Sequence, residues 1–246
     1  MDSTSIFSTR AQEYARYRPS HPTDAIAVIL DGLASSSQLI AADLGAGTGI
    51  ASRQLGDCGV KVIAIEPNEA MIQAAESHPL VEFRLGTAEN TTLADNSVDL
   101  VTSFQAFHWF DPLPTLQELH RILKPTGRLA LVWSMWDESD AFTQELSKLV
   151  TTNSDTTLKQ QNWASKIGIP PQNSYFSSFD RWQFSYKERR NLTDVIGLVE
   201  SQGFISLSGT KHEQLIEDLE KLHQKWAEDL NNVFLVYRTE VYISQA

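Results

Sequence analysis

The stretch Leu39-Ile40-Ala41-Ala42-Asp43-Leu44-Gly45-Ala46-Gly47-Thr48-Gly49 constrains this chain more than any other. Its apolar half has the length and composition of a buried strand. Its glycine half suits a tight strand-to-helix turn in which bare backbone can approach a ligand. A dinucleotide-binding turn requires G-x-G-x-x-G, the third glycine letting the helix pack on the strand. Here Gly49 arrives one residue early and Ile50 stands where that glycine belongs. An ordinary strand-to-helix turn would carry similar residues, so the neighbouring elements decide what this one is for.

One unit further on, Val60-Lys61-Val62-Ile63-Ala64-Ile65 is a β-branched run of strand length ending on Glu66-Pro67-Asn68. An acidic residue about 20 positions past the first glycine, at the end of the second strand, is placed to accept hydrogen bonds from both hydroxyls of a ribose. A surface glutamate at a strand end is the alternative. Pro67 fixes φ, and Asn68 can cap a helix carrying Met71, Ala74 and Ala75.

Before the glycine turn, Phe7, Ala11, Tyr14, Ala15 and Arg18 share one side of a helix that Pro19 ends near Tyr17. A phenol and a guanidinium thus lie close together, and a guanidinium suits two-pronged recognition of a carboxylate. An amphipathic helix that merely covers the sheet would show the same pattern. Thr23 is expected to cap a helix from Asp24 to Asp31, with Gly32 as its stop. Val81 to Leu85 reads as a third strand leading into Gly86-Thr87-Ala88-Glu89-Asn90, and Ser97 to Ser103 as a fourth leading into Phe104-Gln105-Ala106-Phe107-His108-Trp109-Phe110-Asp111. His108 either orients or deprotonates a substrate there, or is a satisfied structural histidine. Phe107, Trp109 and Phe110 divide between pocket wall and core.

Asp111-Pro112 starts a helix with Leu113, Leu116, Leu119, Ile122 and Leu123 on its core face, Lys124-Pro125-Thr126-Gly127 ends it, and Arg128 to Trp133 is strand five. The alternation of strands and helices implies an α/β fold with a parallel sheet covered on both faces. Ligands in such sheets bind beyond the carboxyl ends of the strands, where strands one and four lie side by side. From 136 to 180 the alternation breaks, and Trp136, Phe142, Trp163, Tyr175, Phe176 and the pair Pro170-Pro171 read as a lid over the site or as packed helices. Trp182 to Tyr186 resembles strand six. Thr193 is expected to cap a helix through Gln202, Leu215, Leu219, Leu222, Trp226 and Leu230 mark a long amphipathic helix, and Val233 to Ile243 suits a final strand.

A formal net charge of −11 disfavours nucleic acid as the main partner, because phosphate contacts require clustered Lys and Arg. The densest basic run, Lys187-Glu188-Arg189-Arg190, is short, although a small acidic substrate still fits a local basic pocket. No stretch approaches 18 apolar residues, so no membrane span is expected. The amino terminus lacks secretory features, and a single cysteine, Cys58, suits a reducing cytoplasm. The dispersed histidines offer no metal-ligand spacing, so no metal is expected.

Taken in order, Asp43-Leu44-Gly45-x-Gly47-x-Gly49, Glu66 and the strands through residue 135 resemble the class I S-adenosylmethionine-dependent methyltransferases. Ala11-x-x-Tyr14-x-x-Tyr17-Arg18-Pro19-x-x-Pro22, Phe107 to Asp111 and the terminal strand are similar to the trans-aconitate methyltransferase-like (methyltransferase type 11) group, whose members methylate small or lipid-like acids on oxygen. The resemblance implies a Rossmann-like, doubly wound sheet of seven strands in the order 3-2-1-4-5-7-6, the last antiparallel. It implies a single domain: a helical cap over 1–35, a cofactor-binding core over 36–135, a lid-like insertion over 136–180, and the rest of the sheet over 181–246.

S-adenosyl-L-methionine is the implied cofactor, held by Asp43, Gly45, Ala46, Gly47, Thr48, Gly49, Glu66 and Pro67, with Met71, Thr87, Gln105, Ala106 and Arg18 nearby and Ala88-Glu89 at the adenine ring. Phe7, Tyr14, Arg18, Phe107, His108, Trp109 and Trp133 are the implied substrate contacts. The implied reaction is in-line methyl transfer to a small molecule, by expectation a small acid on oxygen. A carboxylate acceptor is ionised at neutral pH and needs no base, whereas a phenol or amine would make His108 a candidate base. An NAD-dependent oxidoreductase would share the strand, turn and carboxylate, and Ile50 speaks against it. A non-catalytic cofactor-binding module would lack the aromatic segment at 104–110.

Overall fold

The computed structural model describes residues 8–154, 174–176, 178–228 and 231–246. Phe7, Trp163, Pro170, Pro171 and Leu230, named above, lie outside those residues. The strands are β1 Ile40–Leu44, β2 Lys61–Glu66, β3 Val81–Leu85, β4 Val98–Phe104, β5 Leu123–Trp136, β6 Asp180–Arg190 and β7 Val233–Gln245. They form one seven-stranded sheet in the order β3-β2-β1-β4-β5-β7-β6. From β3 to β5 the pairings are parallel, and β7 runs antiparallel to both β5 and β6. Parallel neighbours need crossovers, which the intervening helices supply.

The helices are α1 Ala11–Tyr17, α2 Thr23–Leu30, α3 Ile50–Asp57, α4 Glu69–Gln73, α5 Pro112–Ile122, α6 Ala141–Asn153, α7 Leu192–Glu200 and α8 Thr210–Trp226. Leu116, Leu119 and Ile122 of α5 pack on one face of the sheet against Leu44, Leu129 and Leu131. Ile26 and Ile29 of α2, with Ala51 and Leu55 of α3, cover the other face against Ala41, Leu100 and Val132. Each such side chain contributes roughly 1.5–3 kcal/mol on burial. A third cluster joins α6, α7 and α8 to the first half of β7 through Phe142, Leu146, Leu198, Leu219, Leu235 and Tyr237.

Several boundaries differ from the sequence reading for local reasons. Pro22, not Thr23, occupies the N-cap of α2, because its extended φ and ψ already lead the chain into the helix. Asn191, not Thr193, caps α7: its side chain accepts from the Asp194 N–H while the Asp194 side chain accepts from the Asn191 N–H. β5 begins directly after α5, so Lys124 to Gly127 lie within the strand and do not simply end the helix. The register jumps there, from Val98 opposite Leu123 to Leu100 opposite Arg128. Pro125 therefore sits in a bulge, where its missing N–H costs no ladder bond. β6 runs well beyond Trp182 to Tyr186, because every residue from Asp180 to Arg190 finds a partner on β7. Between 136 and 180, α6 packs on α8, while Tyr175 and Phe176 lie against His120 of α5.

Candidate active site

The glycine turn sits at the carboxyl end of β1, between β2 and β4, where the strand order reverses. Gly45, Gly47 and Gly49 all take left-handed backbone, with φ of +65°, +58° and +74°. Neighbours also exclude side chains at two of them. A Cβ on Gly45 would lie 2.6 Å from Ala106 Cβ, and one on Gly49 would lie 2.5 Å from Phe83 Cζ. The N–H groups of Gly45 and Ala46 donate to the Ile65 carbonyl, which ties the turn to β2.

Two buried carboxylates brace this turn. Asp43 accepts from Ser52 Oγ at 2.6 Å and from Thr102 Oγ1 at 2.8 Å, the latter set by the register that places Asp43 opposite Thr102. Burial pushes the Asp43 carboxyl up to about 6, outweighing those hydrogen bonds. Glu66, at the end of β2, accepts from the Gly47 N–H at 2.8 Å and the Asn68 N–H at 3.0 Å. Its carboxyl is also raised by burial against those two bonds.

Beside the turn opens a cavity of about 690 Å³. Asp43, Gly45 and Ala46 form its floor, Tyr14 and Arg18 of the amino-terminal segment one wall, and Gln105, His108 and Trp109 another. The Arg18 guanidinium lies over the Tyr14 ring at 4.9 Å and donates to the Ser201 carbonyl at 3.3 Å, while its Nε is buried with no partner. Gln105 takes a φ of +58° at the end of β4, held by its own amide, which donates to the Ser134 carbonyl at 2.6 Å and accepts from the Ser134 N–H at 3.2 Å. His108 Nδ1 accepts from Trp133 Nε1 at 3.2 Å.

Residues 42–131 match the family model described as a methyltransferase domain. An uncharacterized methyltransferase of Mycobacterium bovis is 33% identical over 204 residues, spanning 82% of this chain and 79% of that one. Another, from Schizosaccharomyces pombe, is 28% identical over 229 residues, 92% of this chain and 88% of its own. The chain belongs to the class I S-adenosylmethionine-dependent methyltransferases. Solved structures share the fold. A candidate type II methyltransferase of Anaeromyxobacter dehalogenans superposes with a TM-score of 0.67 at 23% identity, covering 94% of this chain and 97% of that one. Phosphoethanolamine N-methyltransferase 2 of Haemonchus contortus, solved with S-adenosyl-L-methionine, has a TM-score of 0.51 at 17% identity over 98% of this chain and 56% of its own.

In this methyltransferase the turn fits an adenosyl group. Gly47 leaves a cradle in which a Cβ would meet Met71 Cε at 3.3 Å and Tyr14 Cε1 at 3.9 Å. Thr48 Oγ1 is buried beside it without a partner. Glu66 retains acceptor capacity beyond its two backbone bonds. Gly47, Thr48, Gly49 and Met71 thus surround the turn, and Pro67 is exposed at its outer edge.

Other expected site residues do not line the cavity. Trp133, 1% exposed, and Phe107 belong to the core, and neither lines the cavity; Trp133 reaches the site only through His108. Ala106 backs Gly45 and Ala88 packs in the core. Thr87 pairs with Asn90 in an isolated bridge. Glu89, expected at adenine, accepts from the Asp111 N–H at 3.0 Å and so caps α5. Asp111 itself makes no side-chain cap.

The sequence reading missed His21, Ser134, Gln202, Tyr237 and Arg238, all of which line the cavity. His21 Nδ1 lies 3.3 Å from Ser134 Oγ, which lies 2.8 Å from Thr239 Oγ1, and burial pushes the His21 imidazole down to about 4. Arg238 Nε is buried and 3.7 Å from Glu240, too long for a hydrogen bond. Glu240 is engaged at shorter range by Arg181 at 2.8 Å and by the Tyr242 hydroxyl at 2.5 Å. The polar alternation of β7 and the Arg18-Pro19-Ser20-His21-Pro22 turn were the only local signals, and neither specifies a direction. Among the described residues no helix is long and apolar enough to cross a membrane.

Proposed function

We propose that this methyltransferase methylates a carboxylate oxygen of a small acid, as the trans-aconitate methyltransferase-like group does. One observation carries the reading: Arg18 and Arg238 line the same cavity, each with a buried Nε that no acceptor among the described residues satisfies by a hydrogen bond. A buried guanidinium N–H without an acceptor is costly, and a ligand carboxylate is the group that fits it two-pronged. Tyr14 stacks on Arg18, and Gln202 adds a polar group to the same wall.

S-adenosylmethionine supplies an activated methyl group when bound. The chain's part is to hold and orient. Glu66 and the glycine backbone take the adenosyl ribose, and the arginines take the acid. Trp109, Phe104 and Trp136 wall the space between against water. Such positioning is worth on the order of 7–11 kcal/mol of the barrier. A carboxylate is ionised at neutral pH, so no residue need remove a proton.

Calorimetric titration with S-adenosylhomocysteine, followed by a labelled-methyl screen of small mono-, di- and tricarboxylic acids against amines and phenols, tests this. Base-labile methyl esters are the expected products, and Arg18→Ala and Arg238→Ala should each raise KM for the acid. Methyl transfer confined to amines or phenols, or an Arg238→Ala variant with wild-type kinetics on every accepted acid, would overturn the reading.

A further inference from the structure

We propose that Trp133 fixes the proton of His108 on Nε2 and so disqualifies that histidine as a base for the methyl acceptor. An indole N–H can only donate. Trp133 is buried at 1% exposure inside the sheet's core, edge-on to Tyr242, so water offers its N–H no substitute. The acceptor it has is His108 Nδ1 at 3.2 Å. A neutral imidazole carries one proton, and a nitrogen whose lone pair receives a hydrogen bond cannot carry it. The proton is therefore on Nε2. Protonating Nδ1 would set two N–H groups against each other in a dry site.

The backbone around His108 holds the ring where this geometry requires it. Residues 107–109 form a single tight turn, closed by the Trp109 N–H to the Ala106 carbonyl and the Phe110 N–H to the Phe107 carbonyl. Just upstream, the Gln105 amide is clamped to both backbone groups of Ser134. Consecutive residues of β5 thus control the segment: Ser134 holds its start by backbone, and Trp133 holds His108 by side chain. His108 lines the cavity, and with Nδ1 committed to the core and Nε2 protonated neither ring nitrogen offers a lone pair there. An amine or phenol acceptor would need a free lone pair on that ring, whereas an acid's carboxylate, already ionised, needs none. Trp133 is a positioning residue here, acting only through His108.

The choice of acceptor rests on the carboxylate reading above, but the position of the proton does not. Full-length protein labelled with ¹⁵N-histidine and saturated with S-adenosylhomocysteine is observed by long-range ¹H–¹⁵N correlation, with His108 assigned by its loss in His108→Gln. The expected spectrum shows Nδ1 unprotonated and Nε2 protonated, and Trp133→Phe, checked for folding by its thermal midpoint, should show the two tautomers in exchange. A protonated Nδ1 in the wild-type protein, or a pattern that Trp133→Phe leaves unchanged, overturns the proposal.

Methyl transfer to the acids found in the labelled screen supplies the second arm. His108→Gln keeps an N–H near Nε2 but has no basic nitrogen, so it should lose less than about tenfold and keep the wild-type pH profile of acid methylation. A limb of the profile that reports a group required in its basic form, and that disappears in His108→Gln, overturns the claim that this histidine is no base. If no acid is methylated, the carboxylate reading fails by itself, and the spectrum still decides where the proton sits.

Discussion

Replacing Glu66 tests two jobs assigned to its carboxylate, the bracing of the turn and the proposed hold on a ribose. An ionised carboxylate offers about four lone-pair sites. The Gly47 and Asn68 N–H groups occupy two of them, which leaves two for the hydroxyls of a ribose. Each hydrogen bond to a charged group contributes roughly 1.5–3 kcal/mol, so losing both hydroxyl bonds should weaken binding of S-adenosylhomocysteine by about 3 kcal/mol or more, on the order of a hundredfold. Glu66→Ala also leaves the Gly47 and Asn68 N–H groups without their acceptor, at roughly 1–3 kcal/mol each, so the ligand-free protein should lose stability as well. Glu66→Gln keeps one acceptor oxygen but turns an NH₂ toward a backbone donor. It should lose about tenfold to a hundredfold in affinity with a smaller loss of stability. Calorimetric titration measures the first quantity, and urea denaturation without ligand the second. An alanine variant that binds S-adenosylhomocysteine as tightly as the wild type would refute the ribose assignment. One with undiminished stability would refute the claim that this side chain braces the turn.

Gly49→Ala should cost about 2–5 kcal/mol, from left-handed strain of roughly 1–2 and overpacking against Phe83 of roughly 1–3, and adding Phe83→Leu should return only the packing share; an unchanged urea midpoint contradicts this. Asp43 has its carboxyl raised from 3.8 to about 6, so the folded state holds that proton more tightly than the unfolded chain. Its contribution to stability is whole below about pH 4 and is lost as pH rises through about 6, a change of about 3 kcal/mol at most. Asp43→Asn should flatten that part of the pH profile, and parallel profiles for the two proteins would count against the assignment. Arg10 donates to the carbonyls of Glu200 at the end of α7 and of Gln202 and Ile205 beyond it. Arg10→Met should therefore speed amide exchange in α1, and unaltered exchange there would mean that other contacts fasten the helix.

The glycine turn was legible because its signal is local: left-handed backbone demands glycine within a few residues, whatever packs around it. The period of the strands was legible for the same reason, and with it the layered fold. Faces were not. Trp133 and Ser134 are adjacent in β5 and point to opposite sides of the sheet, and only the packed structure shows that Ser134 lines the cavity while Trp133 fills the core. Glu89 carried two meanings in sequence, a ligand contact or a helix cap, and only the folded chain shows its bond to the Asp111 N–H.

By itself, the order of residues determined the α/β layering, the nucleotide-type turn and the acidic partner that follows it, since each depends on interactions spanning one turn or one strand–helix unit. Tertiary structure alone decided which side chains share the cavity. Arg18 with His21, His108, Gln202 and Arg238 come from four separate stretches of chain and line one cavity only after β7 has inserted antiparallel between β5 and β6. Such convergence is set by packing of whole elements, and no spacing along the chain encodes which side chains will share a space.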